Sequence, residues 1–205
     1  MAELKGGASR RVLQLAPNFL TVLRLALAVP LFYTLTNLRE KADLALIFLL
    51  AAGATDVLDG FIARRFGGQS VFGRLMDPAT DKILICGAFV FLVGDPVFVP
   101  AWAVVVIIAR ELGVTALRAV AEAQGTPYPG TISGKIKMAT EFVTLSYIII
   151  YAGHLMPPRW QADWPKAVMW ILLILTLLAV VLSGAQHVVR SIRLIRAAPP
   201  ARTEG

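Results

Sequence analysis

What this chain lacks narrows it before anything it contains does. Its 205 residues include one cysteine and two histidines, so there is no disulfide framework and no four-ligand Cys/His metal site. The single Cys86 lies in an apolar run and reads as a buried structural thiol. His154 and His187 have no serine or cysteine evident beside them, which leaves a nucleophile-and-base mechanism without its parts, and each reads as interfacial or structural. Charge is scarce as well, at 16% of residues. The net charge of +7 would suit nucleic acid. However, no basic stripe with interleaved aromatics stands on a soluble domain, so anionic lipid headgroups are the better partner. The N-terminus lacks the short apolar core and small-residue cleavage site of a signal peptide, and no internal repeat is visible.

What the chain has is hydrophobicity, 57% of residues with a mean hydropathy of +0.70, which points to one membrane-embedded domain. The expected fold is all-α, a polytopic membrane protein with six transmembrane helices around a cytoplasm-facing polar cavity. Residues 1–16 form an N-terminal cytoplasmic or juxtamembrane segment, read either as a short amphipathic helix on the membrane or as a disordered leader. Residues 17–196 make the transmembrane domain, and residues 197–205, with Pro199 and Pro200, a disordered tail. After a first apolar run over 19–38, helices are expected at about 42–66, 71–93, 97–123, 134–156 and 165–196. The apolar parts of the second, third and fourth are only 11 to 13 residues long, about half of the ~20 that span a bilayer. The other half of each must face protein or water.

Lys and Arg set the orientation. Of the 20, Arg24, Lys82 and Arg110 fall within helices. The two termini and the 2–3 and 4–5 connections hold 13, against Arg39, Lys41, Arg159 and Lys166 on the other side. The positive-inside rule then places both termini in the cytoplasm. With alternating helix direction, the polar residues of helices 1 to 5 (Asn18, Thr21 and Arg24; Asp56 and Asp59; Asp77 and Asp81; Arg110 and Glu111; Lys135, Lys137 and Glu141) all fall in the cytoplasmic halves.

Four of the 13 acidic residues lie between Asp56 and Asp81. Asp56 and Asp59 (i, i+3) share one helix face, as do Asp77 and Asp81 (i, i+4). Gly67-Gly68-Gln69-Ser70 between them is a turn signal that folds the two segments into an antiparallel hairpin. At about 1.5 Å per residue, Asp59 and Asp77 lie roughly 10–12 Å from that turn, so the four carboxylates converge at one depth. Like charges gathered in a low dielectric need cations. Ligation by oxygen alone favours Mg²⁺ or Mn²⁺ over Zn²⁺. Pairing with Arg64, Arg65 and Arg74 on a wet surface is the alternative.

The pattern D-x2-D-G-x2-A-R-x8-G-x3-D-x3-D, formed by Asp56, Asp59, Gly60, Ala63, Arg64, Gly73, Asp77 and Asp81, resembles the signature of the CDP-alcohol phosphotransferases. The resemblance implies enzymes that move a phosphatidyl group from CDP-diacylglycerol to an alcohol and release CMP. It implies one or, more often, two Mg²⁺ or Mn²⁺ ions on Asp56, Asp59, Asp77 and Asp81, with Asp81 also the catalytic base. It further implies CDP-diacylglycerol binding by Gly60, Ala63, Arg64, Gly73, Asn18 and Thr21, and a homodimer. Taken alone, the small residues Gly60, Ala63 and Gly73 fit close approach of a nucleotide and tight helix packing equally well.

A second cluster concerns the acceptor. Arg110, Arg118, Lys135 and Lys137 are candidate ligands for a phosphate, with Lys135 at a helix N-terminus whose free N–H groups attract anions. Lys137, two residues on, should point elsewhere. Arg110 paired with a carboxylate, or the lysines as lipid-surface charges, fit the same positions. Ala109-Arg110-Glu111-Leu112, Ala116-Leu117-Arg118, Gly134-Lys135-Ile136-Lys137 and the opening Pro17 to Arg24 are similar to the branch of that family whose acceptor is sn-glycerol 3-phosphate. The inositol-phosphate-accepting branch and, outside the enzymes, a divalent-cation transporter remain as alternatives.

Overall fold

The computed structural model describes the backbone of residues 2–66, 71–95, 97–123, 131–157 and 162–197, and the side chains of residues 19–61, 79–95, 97–123, 131–157 and 162–193. Among them all regular structure is helical. Six helices, α1 (Ala2–Thr36), α2 (Leu38–Phe66), α3 (Val71–Leu92), α4 (Ala101–Ala123), α5 (Ile132–Ile150) and α6 (Trp164–Ala197), are joined by a π-helical turn, Tyr151–Leu155, that prolongs α5. Among the described residues four stretches are long and apolar enough to cross a membrane: Phe19–Thr36, Leu38–Phe61, Ile132–Leu155 and Trp164–Arg193. α4 is not among them, because Arg110, Glu111 and Arg118 fall in every 18-residue stretch of it.

The helix ends differ from the sequence expectation in two places. α1 does not begin at Pro17 but runs back to Ala2 without a break. A proline removes one helical hydrogen bond without always ending the helix, and the Ala-, Leu- and Arg-rich residues ahead of it are good helix formers. α4 begins at Ala101 instead of Val97. The Val97 amide donates to the Asp95 carboxylate (3.1 Å) in a local turn, and Pro100 disfavours helical backbone at Val99. Between α1 and α2 the chain reverses at Asn37, whose carbonyl accepts from the Glu40 and Lys41 amides at 3.1 and 3.0 Å. α2 then bends at Lys41 (φ −116°, ψ 22°), so its straight part starts at Ala42 as expected. The 197–205 tail lies outside the described residues from Ala198 on.

α1 packs on α2 and α3, α5 on α2 and α6, and α4 on α6. Leu31, Leu49, Phe89, Ile107, Leu145, Ile148, Met169 and Leu173 fill the centre. Helix contacts close enough to require glycine include those at Gly87 and Gly153. A side chain at Gly87 would strike the Phe32 ring, and one at Gly153 would strike the Ala42 methyl. Between α5 and α6 the Thr144 hydroxyl meets the Thr176 hydroxyl at 2.8 Å, a polar contact of the sort that joins helices where apolar burial gives no preference.

The two ends of the bundle differ. At one, Arg39 pairs with Asp95 (2.6 Å) and His154 with Asp43 (2.8 Å). At the other lie the carboxylates of α2 and α3 and the charged residues of α4 and α5, with the Thr131 hydroxyl at the start of α5 held 3.2 Å from His187 Nε2 on α6. The polar halves of the helices share this second end.

Candidate active site

The site is organised around a residue of α1. Arg24 is one turn into the apolar run and only 1% exposed, so its guanidinium has no water to turn to and must be met by protein. Its Nη2 pairs with Asp56 Oδ1 on α2 at 3.0 Å, and its Nη1 pairs with Asp81 Oδ1 on α3. Its Nε donates to the Thr55 hydroxyl (3.4 Å), which in turn donates to the Ala52 carbonyl (2.6 Å). One cation on α1 thus pairs with a carboxylate of α2 and a carboxylate of α3; the expected Gly67-Gly68 turn lies outside the described residues. Asp59, a turn beyond Asp56, is buried, as is Thr21, while Gly60 is half-buried.

Of the other candidate residues, Asn18 lies on α1, Ala63 and Arg64 on α2, and Gly73 and Asp77 on α3, with side chains outside the described residues. Among the described residues no three acidic, His or Cys side chains converge on one point. The oxygen-only donor set and the cation already held between Asp56 and Asp81 nevertheless fit a hard divalent ion.

The second cluster is a network of buried charges. Lys137 Nζ lies 2.7 Å from Glu111 Oε1 on α4 and 2.7 Å from Glu141 Oε2 one turn along α5. Glu111 Oε1 also receives Arg110 Nη1 at 2.5 Å, and Arg110 Nη2 donates to Ser183 Oγ on α6 at 2.9 Å. Lys137 is 3% and Glu141 1% exposed, so each needs the other. Lys135, two positions away, is exposed, which places the two lysines on different sides of α5. The N-cap of α5 is Thr131, whose hydroxyl accepts from the Gly134 amide at 3.2 Å. Arg118 is half-buried on α4. Lys82, next to Asp81, donates to the Thr115 hydroxyl and lies in the field of Glu111, Arg118 and Lys137.

Sequence reasoning missed three things here. Arg24 is the bridge, and its signal was an arginine in an apolar run with no local partner. Glu111 and Glu141 hold Lys137, and the Lys137/Glu141 spacing of i, i+4 was readable as a pair. The third is a cavity of about 530 Å³ that adjoins the bridge. Arg24, Asp56 and Asp81 form its polar end, and it continues between α2, α3 and α5 along Leu50, Gly53, Leu84, Met138, Phe142 and Val143. A side chain at Gly53 would come within 2.8 Å of the Phe142 ring, so the glycine lets Phe142 pack closely against α2 at this point. Apolar residues spaced for lipid contact carry no mark that a few of them line a slot.

Fold and site together define a helical membrane protein whose apolar bundle is built around a carboxylate-bearing polar end. The chain belongs to the CDP-alcohol phosphatidyltransferase family, whose model matches residues 14–183. It is similar to the CDP-diacylglycerol–glycerol-3-phosphate 3-phosphatidyltransferase of Bacillus subtilis (32% identity over 149 residues, 66% of this chain and 76% of the relative). A probable phosphatidylglycerophosphate synthase of Mycobacterium tuberculosis is 31% identical over 190 residues, covering 89% and 84% of the two chains. A cardiolipin synthase (CMP-forming) of Streptomyces coelicolor is 37% identical over a shorter stretch, 118 residues, 55% of this chain and 54% of the relative. Membership of a transferase family removes the cation-transporter alternative.

Proposed function

We propose that this chain transfers the phosphatidyl group of CDP-diacylglycerol to sn-glycerol 3-phosphate, giving phosphatidylglycerophosphate and CMP. The observation that carries this reading is the cavity whose polar end is Arg24, Asp56 and Asp81 and whose walls are apolar. It suits a donor that joins a diphosphate to acyl chains, with the reacting phosphorus near the carboxylates. Asp56, Asp59, Asp77 and Asp81 would hold Mg²⁺ or Mn²⁺. Bound there, such ions offset diphosphate charge and position the donor. The chain's own part is then to bind the nucleotide along Gly60, Ala63, Arg64 and Gly73, with Asn18 and Thr21 of α1 nearby. The acceptor hydroxyl attacks the phosphatidyl phosphorus and the bond to CMP breaks. Asp81 takes the hydroxyl's proton.

The acceptor's phosphate is assigned to Arg110, Arg118, Lys135 and Lys137. Lys135 is the exposed member, and a phosphate meeting Arg110 or Lys137 competes with Glu111. All six helices are placed in the membrane, with both termini and the site cytoplasmic, because Lys and Arg crowd the connections at that end. A homodimer completes the proposal.

The test is purified protein with CDP-diacylglycerol, Mn²⁺ or Mg²⁺ and a panel of acceptors, with CMP release as the readout. sn-Glycerol 3-phosphate should support turnover and unphosphorylated glycerol should not. Equal rates with glycerol, or a stronger response to inositol phosphate or to phosphatidylglycerol, would overturn the acceptor assignment.

A further inference from the structure

Arg24 is used by no step above, yet it is the most deeply buried charge at the site. It joins three helices through one planar group, Asp56 by Nη2, Asp81 by Nη1 and the Thr55 hydroxyl by Nε. The two carboxylates repel each other, and the buried Arg24 guanidinium, 1% exposed, cannot be left without them, whereas Asp81 is 24% and Asp56 47% exposed at the side chain. The guanidinium therefore does for the metal-free protein what a divalent ion would do, drawing both carboxylates to itself. An ion held by Asp56 and Asp81 would draw on the same two carboxylates that Arg24 pairs with. They also carry like charge, so both cannot sit between the two aspartates at full strength.

We infer that Arg24 is a resident counter-cation, a positioning residue that holds Asp56 and Asp81 together until a divalent ion displaces it. The bridge keeps the ligands gathered and lowers the affinity for the ion. A guanidinium freed from the carboxylates remains within reach of the cavity it lines, where the donor's phosphates would be its next partner. The inference rests on the metal-binding reading of the aspartates.

It predicts opposite effects in the two states of the protein. Arg24→Met keeps the side chain's length and removes its charge. The metal-free variant should melt well below the wild type, while added Mn²⁺ should raise its melting temperature by more than it raises the wild type's. Direct titration in the absence of nucleotide should give Mn²⁺ binding tighter by about tenfold or more, the gain from losing a buried competitor. Arg24→Lys, whose single ammonium cannot span both carboxylates, should move both quantities the same way by less. A variant that folds only with Mn²⁺ present supports the inference. Weaker or unchanged Mn²⁺ binding in the variants, or misfolding with and without the ion, overturns it. Failure of the wild type to bind Mn²⁺ at all would instead bring down the metal-site reading itself.

Discussion

Asp81 faces two demands, since its carboxylate is one end of the Arg24 bridge and is also the group assigned to the acceptor's proton. Asp56 has only the first kind of duty, holding charge in place. The two should separate on mutation. Asp81→Asn keeps the shape but removes the basicity along with one anionic ligand, so at Mn²⁺ concentrations that restore metal and CDP-diacylglycerol binding it should still lose kcat by about 10²–10⁴-fold, the usual worth of general-base assistance. Asp56→Asn should lose both binding and turnover, because a missing anionic ligand weakens the ion and leaves the diphosphate uncompensated. Chelation should act as Asp56→Asn does. Isothermal titration with CDP-diacylglycerol beside single-turnover kinetics separates these outcomes. More than about a tenth of kcat left in Asp81→Asn would move the base elsewhere.

α5 shows how one element divides its charges between stability and chemistry. Lys137 points inward to Glu111 and Glu141, and Lys135 outward. Lys137→Ala leaves Glu111 its Arg110 partner but takes from the buried Glu141 its ion pair, and should cost about 3–5 kcal/mol of stability. Lys135→Ala should leave melting unchanged and raise the acceptor KM. Further along, the π-helical turn lets Gly153 press against Ala42, so Gly153→Val should destabilise the bundle by about 1–3 kcal/mol through overpacking, read by thermal melting in detergent. The helices themselves were legible in the sequence because apolar runs, the Gly67-Gly68 turn and the paired prolines punctuate it. That Asp56 and Asp81 share one polar site was legible because charge is rare in such runs. Contacts between distant elements were not. Nothing local ties residue 24 to 56 and 81, or Thr131 to His187, and the start of α1 turned on whether Pro17 would end a helix or sit within one.

For the whole molecule, the gathering of polar half-helices at one end makes orientation a single choice. With Cys86 replaced and single cysteines introduced, residues beside Asp95 and at the N-terminus should react with membrane-impermeant reagents from opposite sides, the former from outside. Labelling of both from one side would contradict the six-span arrangement with cytoplasmic termini.

The network joining Arg110 and Glu111 to Lys137 and Ser183 bears on how the chain is made. α4 emerges from the ribosome before Lys137 and Ser183, its partners on α5 and α6, and by itself it carries too many charged residues to count among the membrane-crossing stretches. On the six-span arrangement proposed above, its integration would wait for α5 and α6 and proceed as a group of helices released together. A nascent chain halted at Gly130 should leave α4 extractable by alkaline carbonate, and one extended through α6 should not. Lys137→Ala in the full-length chain should then slow integration of α4, a helix on which it does not lie.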